Sequence, residues 1–147
     1  QGQTLDLRDP RIKAAIIISA PPFYGEADAA AILQPVAIPT LHISATEDVI
    51  RIPGYYSDAR DRVAVFDAIG GSAKSLVMFR GGSHSIFTDR AGTGGAELNP
   101  QVKAATRELA LAFLAQVFEG RDEGLTNWGE RYRGLVANWV GHSAASR

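Results

Sequence analysis

Two short loops carry the residues best suited to proton chemistry. Ala45-Thr46-Glu47-Asp48-Val49-Ile50 follows one apolar run, and Gly81-Gly82-Ser83-His84-Ser85-Ile86-Phe87 follows another. Asp48 and His84 are the candidate groups. A carboxylate hydrogen-bonded to one imidazole nitrogen fixes the tautomer and stabilises the imidazolium, which frees the other nitrogen to take a proton from a nucleophile. The small residues before His84 let its loop turn sharply and let a substrate approach the backbone. Plainer roles stay open on these residues alone. Asp48 suits a turn that bonds its own backbone. Glu47 is the rival acid and is expected to face solvent. His42 lies inside an apolar run and is expected to be a core histidine with its hydrogen bonds met, whereas His142 is expected in a solvated tail. A metal site drawn from His42, Glu47, Asp48 and His84 lacks helical or short ligand spacing, so no metal is expected.

The elements that would position these loops can be read from apolar rhythm. Ala14-Ala15-Ile16-Ile17-Ile18-Ser19, Thr40-Leu41-His42-Ile43-Ser44 and Ser75-Leu76-Val77-Met78-Phe79 read as strands. The first and third are near-continuous apolar runs, as in parallel strands covered on both faces. Between the second and third, Ala59, Val63, Phe66 and Ile69 recur at helical spacing, with Ser57 as the expected N-cap and Gly70-Gly71 as the stop. The Ala-rich stretch from Glu26 to Leu33 predicts a short helix. A longer one is predicted from Asn99 as N-cap and Pro100 in the first turn to Gly120, with Val102, Ala105, Leu109, Ala112, Phe113 and Val117 as its core stripe. After a polar break at 121–126, Trp128, Tyr132, Leu135, Val136, Trp139 and Val140 predict a second amphipathic helix, and 142–147 a frayed tail. Strands alternating with helices predict an α/β fold with a partial doubly wound parallel sheet of three strands. Such sheets gather their chemistry at the carboxyl ends of the strands, where both loops lie.

Composition excludes several classes. The 147 residues carry 15 Lys+Arg against 16 Asp+Glu, a formal net charge of -1, which argues against nucleic acid as a partner. No apolar run approaches the roughly 20 residues of a membrane helix, and no basic cluster flanks the 128–140 stripe, so no membrane partner is expected. There is no Cys, which removes disulfides, thiolate zinc sites and thiol catalysis.

Three segments together resemble the α/β-hydrolase superfamily, and most nearly its dienelactone-hydrolase-like and acetylhydrolase-like esterases. They are Asp9-Pro10-Arg11-Ile12-Lys13-Ala14-Ala15, then Ile38-Pro39-Thr40-Leu41 running to Ala45-Thr46-Glu47-Asp48, then the Gly81-Gly82-Ser83-His84 loop with its following helix. The resemblance spans about Asp9 to Gly120 and rests on order and spacing, each motif being weak alone. It implies a Ser-His-Asp triad in the chain order nucleophile, acid, histidine, with Asp48 as acid and His84 as base. It also implies that Phe23, Tyr24 and Phe87 border a substrate pocket, that the substrate is a small ester or lactone, and that no cofactor is used. Residues 1–120 would then be the C-terminal part of the hydrolase domain, and 121–147 an amphipathic helical extension and tail.

The sequence departs from that pattern at its centre. The family's nucleophile sits in a G-x-S-x-G turn upstream of the acid, and no G-x-S-x-G occurs in these residues. Gly81-Gly82-Ser83-His84-Ser85 lacks the closing glycine, and Ser83 adjoins the histidine that would have to activate it. Because the chain opens on Gln1 rather than Met, it is expected to start downstream of its gene's start, as the back part of a serine hydrolase inactive by itself. The alternative expectation is a non-catalytic half-domain that associates through the strand at 14–19, with its missing N-terminal half or a second copy.

Overall fold

Three parallel strands stand where the apolar runs require them. The computed structural model describes residues 8–22, 28–88 and 95–142, with 95–97 as backbone only. Strands β1 (Ala15–Ile18), β2 (Thr40–Ala45) and β5 (Lys74–Phe79) pair in parallel, with β2 in the middle. Every residue of β2 is buried, which is what a strand covered on both faces demands. Helix α1 (Ala29–Leu33) links β1 to β2, and α2 (Ala59–Ala68) leads into β5. Leu33, Val65 and Ile69 from these helices pack together with Ile17 and Ala20 on one face of the sheet. On the other face, Leu41, Ile43, Val77 and Phe79 meet Val102, Ala105, Leu109 and Phe113 of α3 (Gly95–Glu119).

Four expectations need correction. First, the sheet is mixed and four-stranded, because Val136–Val140 forms β6, antiparallel to β5, where a helix was expected. The predicted 128–140 helix is instead α4 (Glu123–Arg131), a 3-10 turn at Arg133–Leu135 and this strand. Gly134 and Gly141 bracket six residues, among them Val136, Trp139 and Val140 that suit a strand, and the open edge of β5 supplies its ladder. Trp139 keeps its place in the core, its ring 5.1 Å from Trp128. Residues Val136–Val140 are thus part of the sheet. Second, α3 starts at Gly95, so Pro100 lies inside it and Asn99 is not its cap.

Third, Ser57 does not cap α2. It ends a hairpin, β3 (Ile50–Ile52) and β4 (Tyr55–Ser57), whose Pro53-Gly54 turn uses Gly54 at φ 77°. Asp58 is the cap: its side chain accepts from the Arg60 N–H while Asp61 Oδ2 accepts from the Asp58 N–H, a reciprocal box that fixes where α2 begins. Fourth, His142 is half-buried. Its N–H donates to Ser75 Oγ (3.0 Å) and its carbonyl accepts from Gln116 (2.7 Å), tying the end of β6 to the body. Residues 143–147 lie outside the described residues.

His42 is a core residue, as its position implies, with its hydrogen bonds only half met. Nε2 lies 3.1 Å from Thr40 Oγ1, and Nδ1 has no partner. Phe66 meets the ring edge-on at 5.2 Å. Burial, helped by the Lys74 ammonium, lowers its pKa from 6.5 to about 4. The Lys74 ammonium donates to the carbonyls of Phe66, Asp67 and Ile69 at the end of α2.

With the folded value below the unfolded one, the unfolded chain takes up the proton first as pH falls. This group therefore costs stability between pH 6.5 and about 4, at up to about 1.4 kcal/mol per pH unit. His42→Gln is expected to reduce the stability lost between pH 7 and pH 4.5 by about 2 kcal/mol, measured by urea unfolding at each pH. An unchanged loss would show that another group carries it.

Candidate active site

Parallel pairing brings the carboxyl ends of β1, β2 and β5 to one edge of the sheet, and each end delivers one polar residue. Ser19 follows β1, its N–H donating to the Ile43 carbonyl (2.8 Å). Asp48 follows β2 in a tight turn closed by its own N–H on the Ala45 carbonyl (3.1 Å). His84 follows β5 by way of Gly81 and Gly82, whose φ values of 73° and 85° lie in the left-handed region. Two such residues in succession reverse the chain within the space of one turn. The two loops are also stitched together: the Thr46 N–H donates to the Phe79 carbonyl (2.9 Å), and the Gly81 N–H to Thr46 Oγ1 (2.8 Å).

The result is a direct contact between Asp48 and His84. Nδ1 of His84 lies 2.8 Å from Asp48 Oδ1, close enough for Nδ1–H to donate to the carboxylate. The two ends of the pair differ in setting. The Asp48 side chain is wholly buried, whereas that of His84 is 41% exposed. With Nδ1 engaged by the carboxylate, Nε2 is the nitrogen available to an incoming hydroxyl.

Asp48 is held from further directions. Ser44 Oγ donates to Oδ2 at 2.7 Å. Arg62, itself buried, approaches both oxygens, with Nε 3.4 Å from Oδ2 and Nη2 3.4 Å from Oδ1. The same Nη2 donates to Ser57 Oγ at 2.9 Å. Ser19, at φ 51°, turns a buried hydroxyl toward the carboxylate without closing a hydrogen bond of ordinary geometry. Burial would raise the Asp48 pKa, but the hydroxyls of Ser19 and Ser44, the Arg62 guanidinium and the His84 ring outweigh it and hold the carboxyl below its usual value. Asp48 is therefore ionised at neutral pH, as an acceptor for an imidazole must be.

Of the residues singled out from sequence, the structure joins Asp48 and His84 and separates the others. Glu47 is exposed. His42 belongs to the α2 face of the sheet, among Phe66 and Thr40. Among the described residues no three His, Asp or Glu side chains gather as metal ligands. Phe87 packs on the core, its ring 6.1 Å from Phe79, and Phe23 and Tyr24 lie outside the described residues. Arg62, Ser44 and Ser57 were missed. Arg62 did leave a signal: it falls at i+3 from Ala59 and i−4 from Phe66, a charge within the apolar stripe of α2.

Comparison with family models, with curated proteins and with solved structures finds no match for this chain.

The turn into His84 has little room to spare. A Cβ on Gly82 would stand 3.0 Å from Ile86 Cγ1, and Ile86 is fully buried. Gly82→Ala is expected to cost about 1–3 kcal/mol, from left-handed strain added to this contact, as measured by urea unfolding. The same change at Gly54, with equal backbone strain and open space around it, is expected to cost less.

Proposed function

We propose that Asp48 and His84 are the acid and base of a serine-hydrolase triad acting on small esters or lactones, with the nucleophile supplied from outside these residues. The observation that carries this reading is the 2.8 Å contact between a buried, ionised carboxylate and Nδ1 of a half-exposed histidine. That contact sits where the ends of neighbouring parallel strands meet, and its chain order, acid before histidine, is the hydrolase order. In the reaction, Nε2 of His84 takes the proton of the attacking hydroxyl and later returns it to the leaving alcohol. Asp48 holds the ring and offsets the charge it gains.

The serines around the pair have other roles. Ser44 donates to Asp48, Ser19 turns toward the acid, and Ser83 adjoins His84 in the chain. The 147-residue chain alone is accordingly expected to stay unlabelled by a fluorophosphonate probe, and specific labelling of one of its serines would overturn this assignment. Combined with a segment that supplies a G-x-S-x-G serine, the protein is expected to hydrolyse p-nitrophenyl esters. His84→Ala and Asp48→Asn would then each lower kcat by about 10³–10⁴.

A second reading, association through a strand edge, is favoured by β1. Among the described residues β1 pairs only with β2, and Ile16 and Ile18 remain 36% and 46% exposed. Both are in register with Leu41 and Ile43, so they extend the apolar surface that α3 covers over β2. An apolar parallel edge of this kind recruits another strand. Light scattering of the chain is expected to show species larger than a monomer, and Ile18→Lys to shift them toward monomer. A clean monomer in the unaltered chain would remove this reading.

A further inference from the structure

Arg62 places a full positive charge beneath the catalytic pair, at a cost in desolvation that packing alone does not require. Its side chain is 2% exposed. An apolar residue of similar length would fill the α2 stripe at no such cost. The guanidinium is oriented by its contacts: Nη2 bridges Ser57 Oγ and Asp48 Oδ1, and Nε reaches Oδ2, whereas Nη1 is buried with no partner. A group seated for general satisfaction would not leave one nitrogen orphaned while its other two span both oxygens of one carboxylate.

We propose that Arg62 is a positioning residue of the Asp48–His84 pair, holding the carboxylate ionised and turned so that Oδ1 faces Nδ1 of the histidine. The inference rests on reading that pair as the site's acid and base. Three elements fix Arg62 and the carboxylate it faces. The capping box of Asp58 and Asp61 sets the first turn of α2 and so the level at which Arg62 enters. Ser57, the fully buried last residue of β4, fixes Nη2 from the hairpin side. Ser44, on β2, takes the remaining direction at Oδ2. With Oδ2 bound by Ser44 and Nε, the carboxylate cannot rotate without breaking contacts on both oxygens. Among the described residues, the charged or titratable neighbours of Asp48 are Arg62 from α2 and His84 from the loop after β5, Ser19 (just after β1) and Ser44 of β2 supply neutral hydroxyls, and Ser57 of β4 accepts from Arg62. Arg62 is thus the permanent countercharge for Asp48, present whatever the protonation of the histidine.

Nuclear magnetic resonance on the 147-residue chain tests this without any ester being hydrolysed, so its failure is distinguishable from failure of the hydrolase reading. In Arg62→Met the Asp48 carboxyl carbon is expected to titrate at least about one pH unit higher, a tenfold gain in proton affinity. The low-field Nδ1–H proton of His84 is expected to weaken or vanish. Arg62→Lys, which keeps the charge and loses the fork, is expected to leave the Asp48 titration within about half a unit while still weakening the His84 signal. A folded Arg62→Met with both readouts as in the unaltered chain would overturn the proposal. If Arg62→Met does not fold, Arg62→Lys decides: an undiminished Nδ1–H signal overturns it, and a weakened one with Asp48 still ionised supports it.

Discussion

A carboxylate shut away from water needs a partner for each lone pair, and Asp48 has recruited its partners from every element that reaches this end of the sheet. Unpaired, such a charge would cost several kcal/mol and would be neutralised by a proton. Instead Oδ1 faces His84 and Arg62, and Oδ2 faces Ser44 and Arg62. The acid turn, the His84 loop, the hairpin and α2 are therefore mutually dependent. Displacing any one of them leaves a buried charge partly unmet, which penalises the displaced state far more than the loss of one surface contact would.

The sheet makes this convergence possible. Parallel strands put their carboxyl ends at the same edge, and the register of β2 with β5 sets Ala45 against Phe79, so the acid turn and the histidine loop leave the sheet side by side. Thr46 and Gly81 then fasten the loops directly. Below them, Leu41, Ile43, Val77 and Phe79 are held by α3 and Trp128, and a core packed that closely gives the loops a rigid base. The hairpin β3–β4 is small, yet it matters because Ser57 ends it in a buried position against Arg62.

Much of this was legible from residue type and spacing, and the failures have physical causes. The three parallel strands and the pairing of Asp48 with His84 follow from unbroken apolar runs ending in small, polar loops, since such runs have few other ways to be buried. The hairpin was not legible, because three-residue strands carry no period to detect. β6 was misread because Trp128, Tyr132, Leu135 and Trp139 happen to match a helical repeat. The choice of strand was made by the free edge of β5, a tertiary fact. Arg62 carries no motif of its own, only a charge set within the apolar stripe of α2. Such a charge is better read as a demand for a buried partner.

The same accounting explains how the pair stands assembled on contacts from its immediate surroundings. Among the described residues, the side chains that hold Asp48 toward His84 are those of Ser44 and Arg62, with Ser57 fixing Arg62 and Ser19 turned toward the carboxylate. Under the hydrolase reading, a serine brought to Nε2 would meet a base already turned and charge-compensated, so little reorganisation would remain for the chemical step. Ile16 and Ile18 bear on where such a serine would come from. They lie on the face that α3 covers over β2, and β1 has a partner on one side only. A strand added along β1 would bring its own carboxyl end to the same edge as Ser19, Asp48 and His84 if it ran parallel. Under the hydrolase reading, a parallel strand ending in a nucleophile would both cover the apolar edge of β1 and reach the Asp48–His84 pair.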